Sequence, residues 1–269
     1  MKKKYHIAMT IAGSDPSGGA GIQADLKTFS ACGCYGASAI VAVVDENTVG
    51  VTGVHPVPVD FVTGQIKSVL DDIGSDAIKI GMLHSKELII AIRYTLIGYN
   101  YTNIVLDPVM VATSGDKLLQ DEAIQTLKDE LIPYVRVITP NIPEAEILLN
   151  RRIKKQEDLP DFARELSMNR QVSVLLKAGH LSDDVLTDVF YNAETDQLLA
   201  LSSPRIYTNN THGTGCTFSS ALAAYLAKGE SLNQAVRLAK AYMERVIQAG
   251  AEYEIGKGHG PVHHFVDFW

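Results

Sequence analysis

Residues Thr211 to Gly229 read THGTGCTFSSALAAYLAKG. The second half is helical by pattern, with Phe218, Ala221, Leu222, Tyr225 and Leu226 recurring at three- and four-residue spacing along one face. The first half is small and glycine-rich. A helix that begins there has N–H groups without intrahelical acceptors and the positive end of its dipole. Gly213, Thr214, Gly215 and Cys216 can therefore offer a nest of donors to an anion such as a transferring phosphoryl group. A cysteine at that end is expected to have a lowered pKa and thiolate character. A capped helix with a packed cysteine is the plain alternative.

Three other stretches carry groups that suit the same chemistry. In TPNIPEAEIL, Asn141 and Glu144 bring a carbonyl and a carboxylate close together, as a hydrated magnesium on phosphates requires, although Pro143 and Glu144 also suit an ordinary helix start. Asp107 in VLDPVM is a carboxylate at the end of an apolar strand. Lys177 in LLKAGH is a cation in the equivalent position two units later, where emergence from Val174-Leu175-Leu176 favours phosphate contact. GSDPSGGAGIQADLKTF joins a glycine-rich turn to Asp25. Its Gly19-x-Gly21-x-x-Ala24, with Asp45 ending the next strand, imitates a dinucleotide-binding fingerprint, but GSDPSG separates those glycines from the strand and spoils the tight turn. Neither Cys32-x-Cys34 nor the three imidazoles of GHGPVHH has partner ligands at metal-binding spacing, so both are expected to pack rather than to coordinate.

These residues need elements that bring them to one place. The apolar runs HIAMTIAG, SAIVAVV, DAIKIGML, NIVLDPVM, VRVITPN and SVLLKAG alternate with helical segments such as DFVTGQIKSVLDDI, which predicts an α/β fold: βα units around a mostly parallel sheet with helices on both faces. Long helices are expected near 214–228 and 231–249. The carboxyl ends of parallel strands form the rim where ligands bind, so all the polar turns are expected on one edge. Residues 35–58 have short extended runs and no good helix, and are expected to leave the main sheet as a flap over the site or as a dimer contact.

A chain of 269 residues with ordinary composition suits one domain over 1–269. The net charge of -7 gives no support to a nucleic-acid partner. MKKKYHIAMTIAGS is of strand length and runs into glycines rather than into a secretory cleavage site, and no window is apolar for the 18 or so residues that a span needs. With 3 cysteines, an odd number, the thiols are expected to be reduced. The expectation is a soluble, cytoplasmic protein without membrane or nucleic-acid partners.

Taken together, TIAGSDPSGGAGIQADLKTF, YGASAI, ENTVGV, IKIGML, VLDPVMVATSGDKLL, ITPNIPEAEIL, LLKAGHL, NTHGTGCTFSSALAA and GKGHGPVHHF resemble the ribokinase-like fold. Within it they resemble the hydroxymethylpyrimidine and phosphomethylpyrimidine kinases of thiamine biosynthesis. The resemblance implies transfer of the ATP γ-phosphoryl group to the 5-hydroxymethyl oxygen of 4-amino-5-hydroxymethyl-2-methylpyrimidine, then a second transfer onto the monophosphate. It makes Gly213 to Cys216 the anion hole, with Cys216 where related sugar kinases carry an aspartate base. Asn141, Glu144 and the nearby Asp107 would serve Mg2+ and its waters, and Lys177 and Thr211 would lie at the nucleotide phosphates. The pyrimidine would be held by Asp25, the backbone near Gly13 and Met82, and Glu46, a position where the family often has glutamine. A homodimer through the flap strands is implied too. Pyridoxal kinase is the alternative of the same fold; some pyridoxal-phosphorylating relatives carry a second cysteine where this chain has Ala112. A ligand-sensing module without turnover is the alternative of another class, against which the retained Cys216, Asp107 and Glu144 argue.

Overall fold

The computed structural model describes residues 3–110, 119 and 121–269. Eight strands form the main sheet in the order β10-β9-β8-β7-β6-β5-β1-β2. At its centre lie β1 (Ile7–Ala12), β5 (Ala77–Ile80), β6 (Ile104–Leu106), β7 (Val137–Ile138) and β8 (Ser173–Leu176), all parallel. Both faces of these strands are covered, so they read as nearly continuous apolar runs rather than alternating ones. Lys79 in β5 breaks that rule and is fully buried.

Helices cover both faces, as the alternation predicts. On one side α1 (Gly21–Ala31), α7 (Thr214–Ala227) and α8 (Leu232–Gly250) pack through Phe29, Leu222, Val236 and Val246. On the other, α2 (Val59–Asp72), α3 (Lys86–Gly98), α4 (Asp121–Thr126), α5 (Ile142–Leu149) and α6 (Leu159–Leu166) contribute Ile66, Ile92, Ala123, Leu148 and Phe162.

Two parts differ from the expectation. β2 (Tyr35–Ile40) does not leave the main sheet; it pairs in parallel with β1 from Ile7↔Tyr35 to Ala12↔Ile40 and forms an edge. Only β3 (Ala42–Asn47) and β4 (Gly50–Pro56) form the separate antiparallel hairpin, so the flap begins at Ala42. At the other edge, β9 (Val185–Asn192) and β10 (Gln197–Pro204) add an antiparallel hairpin. Buried Asp188 and Asn192 interrupt the apolar run of β9 and hide it among the parallel strands.

The sheet order reverses between β1 and β5: the chain moves one way from β1 to β2 and the other way from β5 through β8. The loops after these two strands diverge and leave a crevice at their carboxyl ends, the usual ligand position of an open α/β sheet.

Candidate active site

A cavity of about 550 Å³ opens in that crevice, walled by the loops after β1, β5, β6, β7 and β8, by the start of α7 and by the flap. Gly213 caps α7 in a left-handed conformation (φ 74°), and a Cβ there would overlap the Gly19 carbonyl oxygen. Only glycine fits both constraints. The first turn of α7 thus stands at the cavity with Thr211, Thr214, Gly215 and Cys216 along the wall; the Thr214 N–H is taken by the Thr211 carbonyl at 3.3 Å, so the Gly215 and Cys216 N–H groups are the ones left for an anion. A Cβ on Gly215 would lie 3.4 Å from both Asp107 Oδ2 and Lys177 Nζ, so the helix start stands against that pair.

Asp107 is buried at the end of β6. It accepts from Lys177 Nζ at 3.1 Å and Thr139 Oγ1 at 3.0 Å through Oδ1, and from Ser219 Oγ at 3.2 Å through Oδ2. Asn141 and Glu144 open α5 with a capping box: Asn141 Oδ1 accepts from the Glu144 N–H at 2.9 Å, and Glu144 Oε2 accepts from the Asn141 N–H at 2.8 Å. The helix-start alternative and the cavity position therefore hold together. Two buried acids share one lysine, and the one bonded to it keeps the negative charge. The Asp107 carboxyl is held below its ordinary value, against its burial, by Lys177 and Lys79. Burial pushes Glu144 up to about 8, with Lys177 only partly offsetting.

This arrangement fits a divalent cation. The donors are hard oxygens, and Glu144 is a buried acid whose nearest cation is already engaged by Asp107; an ion there would supply the missing charge. The capping box also fixes Asn141 and Glu144 relative to one another at the cavity wall.

Cys216 also departs from expectation. Burial pushes its thiol up to about 12, and the Asp25 and Asp107 carboxylates add to the shift while Lys79 and the Gly21 N–H oppose it. The helix dipole is outweighed, and the thiol is protonated at neutral pH.

Asp25 is corrected as well. It is fully buried below the cavity, where it accepts from Thr10 Oγ1 at 2.6 Å, Ser220 Oγ at 2.7 Å and Lys79 Nζ at 2.8 Å to both oxygens. Its acceptor capacity is filled, and Lys79, not Asp25, lines the floor. The other proposed ring contacts do converge. A Cβ on Gly13 would lie 2.8 Å from Met82 Cε and 3.6 Å from Val44 Cγ2, so these three define a narrow slot. Glu46 enters the cavity wall from β3, where the pairing register shifts between Asp45 and Glu46. Such a bulge re-aims a side chain.

Asp15, His212 and Lys79 are site residues that sequence reasoning missed. Asp15 accepts from the N–H groups of Ser17, Gly19 and Ala20 at 2.8, 3.0 and 2.6 Å, and lies 2.8 Å from His212 Nε2. His212 is in turn 4.0 Å from Glu46 Oε1. Despite its burial, Asp15 is held well below the usual carboxylate range by these bonds, and the Asp15 bond with the charges of Asp15 and Glu46 raises His212 against its own desolvation. An Asp before Pro-Ser-Gly is a turn signal that could have marked Asp15, and His212 lies inside the stretch that opened the search.

The remaining singled-out residues pack. Cys32 and Cys34 are buried, and burial pushes their thiols up to about 12 and about 11. His263 lies between Tyr253 and Trp269, and burial drives His264, beside Thr217, down to about 3. Asp45 sits on the flap hairpin rather than at the end of a sheet strand, which removes the dinucleotide fingerprint's acidic partner. Ala112 lies outside the described residues. No helix among the described residues is long and apolar enough to cross a membrane.

Known proteins share this fold. The phosphomethylpyrimidine kinase family model matches residues 15–263. The chain belongs to this family. A hydroxymethylpyrimidine/phosphomethylpyrimidine kinase of Rhizobium meliloti (strain 1021) is 48% identical over 264 residues, 98% of each chain. The crystal structure of phosphomethylpyrimidine kinase from Clostridium difficile 630 has a TM-score of 0.77 at 41% identity and covers 88% of this chain and 97% of its own. The pyridoxal kinase from Staphylococcus aureus in complex with AMP-PCP and pyridoxal has a TM-score of 0.88 at 33% identity and covers 99% and 96%. The fold is therefore ribokinase-like and the protein is a kinase, a phosphotransferase that uses ATP.

Proposed function

We propose that this kinase transfers the ATP γ-phosphoryl group to the 5-hydroxymethyl oxygen of 4-amino-5-hydroxymethyl-2-methylpyrimidine, and then phosphorylates the monophosphate. The observation that carries the proposal is the meeting of three parts in one cavity: the start of α7, the Asp107–Lys177 pair at 3.1 Å and the Gly13–Met82–Glu46 slot. The ring lies in the slot, with Glu46 accepting from its exocyclic amine. The apolar lobe bounded by Ile206, Met243 and Ile247 takes the nucleotide base, and Thr211 and Lys177 face its phosphates.

In the transfer, the hydroxymethyl oxygen forms a bond to the γ-phosphorus as the bond to the ADP oxygen breaks. Phosphoryl transfer passes through a loose transition state with charge on the equatorial oxygens, so positioning and charge stabilisation matter more than a strong base. The N–H groups of α7 and the Lys177 ammonium meet that charge. Cys216 holds its own proton at neutral pH and orients the alcohol, whose proton passes late to a γ-phosphoryl oxygen as the new bond forms. Glu144 and Asp107 would hold magnesium through its waters, and the ion would neutralise charge on the phosphates when bound. A panel of the pyrimidine, its monophosphate and pyridoxal with ATP, magnesium and purified protein tests the proposal; no ATP consumption above background with either pyrimidine rejects it.

The reading includes a single domain over 1–269 and a cytoplasmic homodimer joined through the flap. Exposed Val43, Val49 and Val54 on the hairpin support the flap contact.

A further inference from the structure

The GKGHGP segment takes no part in the transfer described above, yet its glycines are among the most closely approached glycines described. Thr48 forms the tip of the β3–β4 hairpin. Its Oγ1 accepts from the N–H groups of Lys257 and Gly258, each at 3.2 Å, and its carbonyl accepts from the His259 N–H at 2.8 Å. A Cβ on Gly256 would overlap the Thr48 hydroxyl, and one on Gly258 would overlap the Thr48 carbonyl oxygen. Gly256 also has φ 72°.

The same segment grips the loop before α7. The Gly260 carbonyl accepts from the His212 N–H at 3.0 Å, and Asn210 Nδ2 donates to the Gly250 and Tyr253 carbonyls at 2.6 Å each. A Cβ on Gly260 would overlap Asn210 Oδ1. Residues 250–260 thus bridge two walls of the cavity, one bearing Glu46 two residues before Thr48, the other bearing His212.

We infer that Thr48 and the glycines of 256–260 are positioning residues for the pyrimidine: they hold the flap down before substrate arrives and so fix Glu46 against His212 and the ring slot. The inference rests on the pyrimidine kinase reading for its substrate, but the tether itself does not. Pre-ordering the flap lowers the conformational cost of ring binding, and the Thr48 end of the segment bears on the flap rather than on the Thr211 loop that its other end grips. Loss of the tether therefore raises KM for the ring and not for ATP.

The test uses Thr48→Val, which keeps the shape and removes the acceptor, Thr48→Ser, which keeps the hydroxyl, and Gly258→Ala. Gly98→Ala, where a Cβ meets nothing within 4 Å, is the control. Thr48→Val is expected to raise KM for hydroxymethylpyrimidine by about 3- to 10-fold, from the loss of hydrogen bonds of ordinary strength. KM for ATP stays within about twofold, Thr48→Ser stays near wild type, and Gly258→Ala exceeds Thr48→Val. Amide hydrogen exchange across 42–56 accelerates in Thr48→Val and Gly258→Ala but not in Gly98→Ala. Unchanged ring KM in a folded Thr48→Val, or a parallel rise in both KM values, overturns the positioning role. If wild type phosphorylates neither pyrimidine, the substrate reading fails by itself, and hairpin exchange that is unchanged in both variants overturns the tether.

Discussion

One lysine between two buried acids sets the charge state of the phosphate end of the cavity. Lys177 bonds Asp107 at 3.1 Å, and Glu144 is left with a proton up to about 8. Magnesium must displace that proton, so its affinity is expected to rise with pH and level off above about 8. Glu144→Gln is expected to weaken magnesium by about tenfold and to flatten the pH dependence, read from magnesium titrations of the rate at several pH values. Stability carries the same signature. A carboxyl raised in the folded state from 4.5 to about 8 contributes fully below 4.5, and that contribution is lost as pH rises through about 8. The melting temperature of metal-free protein should therefore lose a component over this window that Glu144→Gln lacks.

Cys216 invites a second measurement. A thiol pushed up to about 12 is poorly nucleophilic at pH 8, so its alkylation by iodoacetamide, followed by peptide mapping, should be at least about 100-fold slower than that of free cysteine. A fast reaction would restore the thiolate. Residue types were legible in the sequence where a polar group interrupts a strand end, as with Asp107 and Lys177, or opens a helix, as with Glu144. Direction was not: Asp25 and Gly13 stand in the same opening stretch, yet Asp25 turns under the sheet to Lys79. Whether Cys216 ionises was equally hidden, since that depends on burial by Asp25- and Asp107-bearing elements far away in the chain.

At the scale of elements, the Asp25–Lys79 pair ties α1 to β5 beneath the site, with Ser220 adding α7. Removing one partner of a buried pair leaves an uncompensated charge. Lys79→Met is therefore expected to cost about 3–5 kcal/mol in urea unfolding, and Lys79→Met combined with Asp25→Asn to recover a large part. Additive losses would show that the two residues do not act as a pair. The parallel strands were readable because burial on both faces leaves uninterrupted apolar runs. The edges were not: β2 shares its apolar run with β3, and the chain breaks from sheet to flap at Val41, whose N–H donates to Ala12 and whose carbonyl accepts from Val57. β9 and β10 pair as a hairpin whose polar residues, buried Asp188 and Asn192 and exposed Gln197 and Ser202, look like loop.

For the whole molecule, substrate choice separates the two kinases of this fold. A neutral pyrimidine with an amine for Glu46 is expected to exceed pyridoxal in kcat/KM by at least about tenfold, roughly 1.4 kcal/mol of transition-state discrimination. Side-by-side kinetics at saturating ATP check this, and an equal or reversed preference would reassign the enzyme to vitamin B6 chemistry.

The close approach of Gly213 to Gly19 has a consequence for synthesis. The turn after β1 is made before the helix start it supports, near residue 213, and before the segment beyond 250 that clamps both. A nascent chain can assemble its central strands long before it owns a phosphate nest. Substrate and nucleotide stabilise only forms that bind them, so neither can rescue an incomplete or C-terminally clipped chain from degradation.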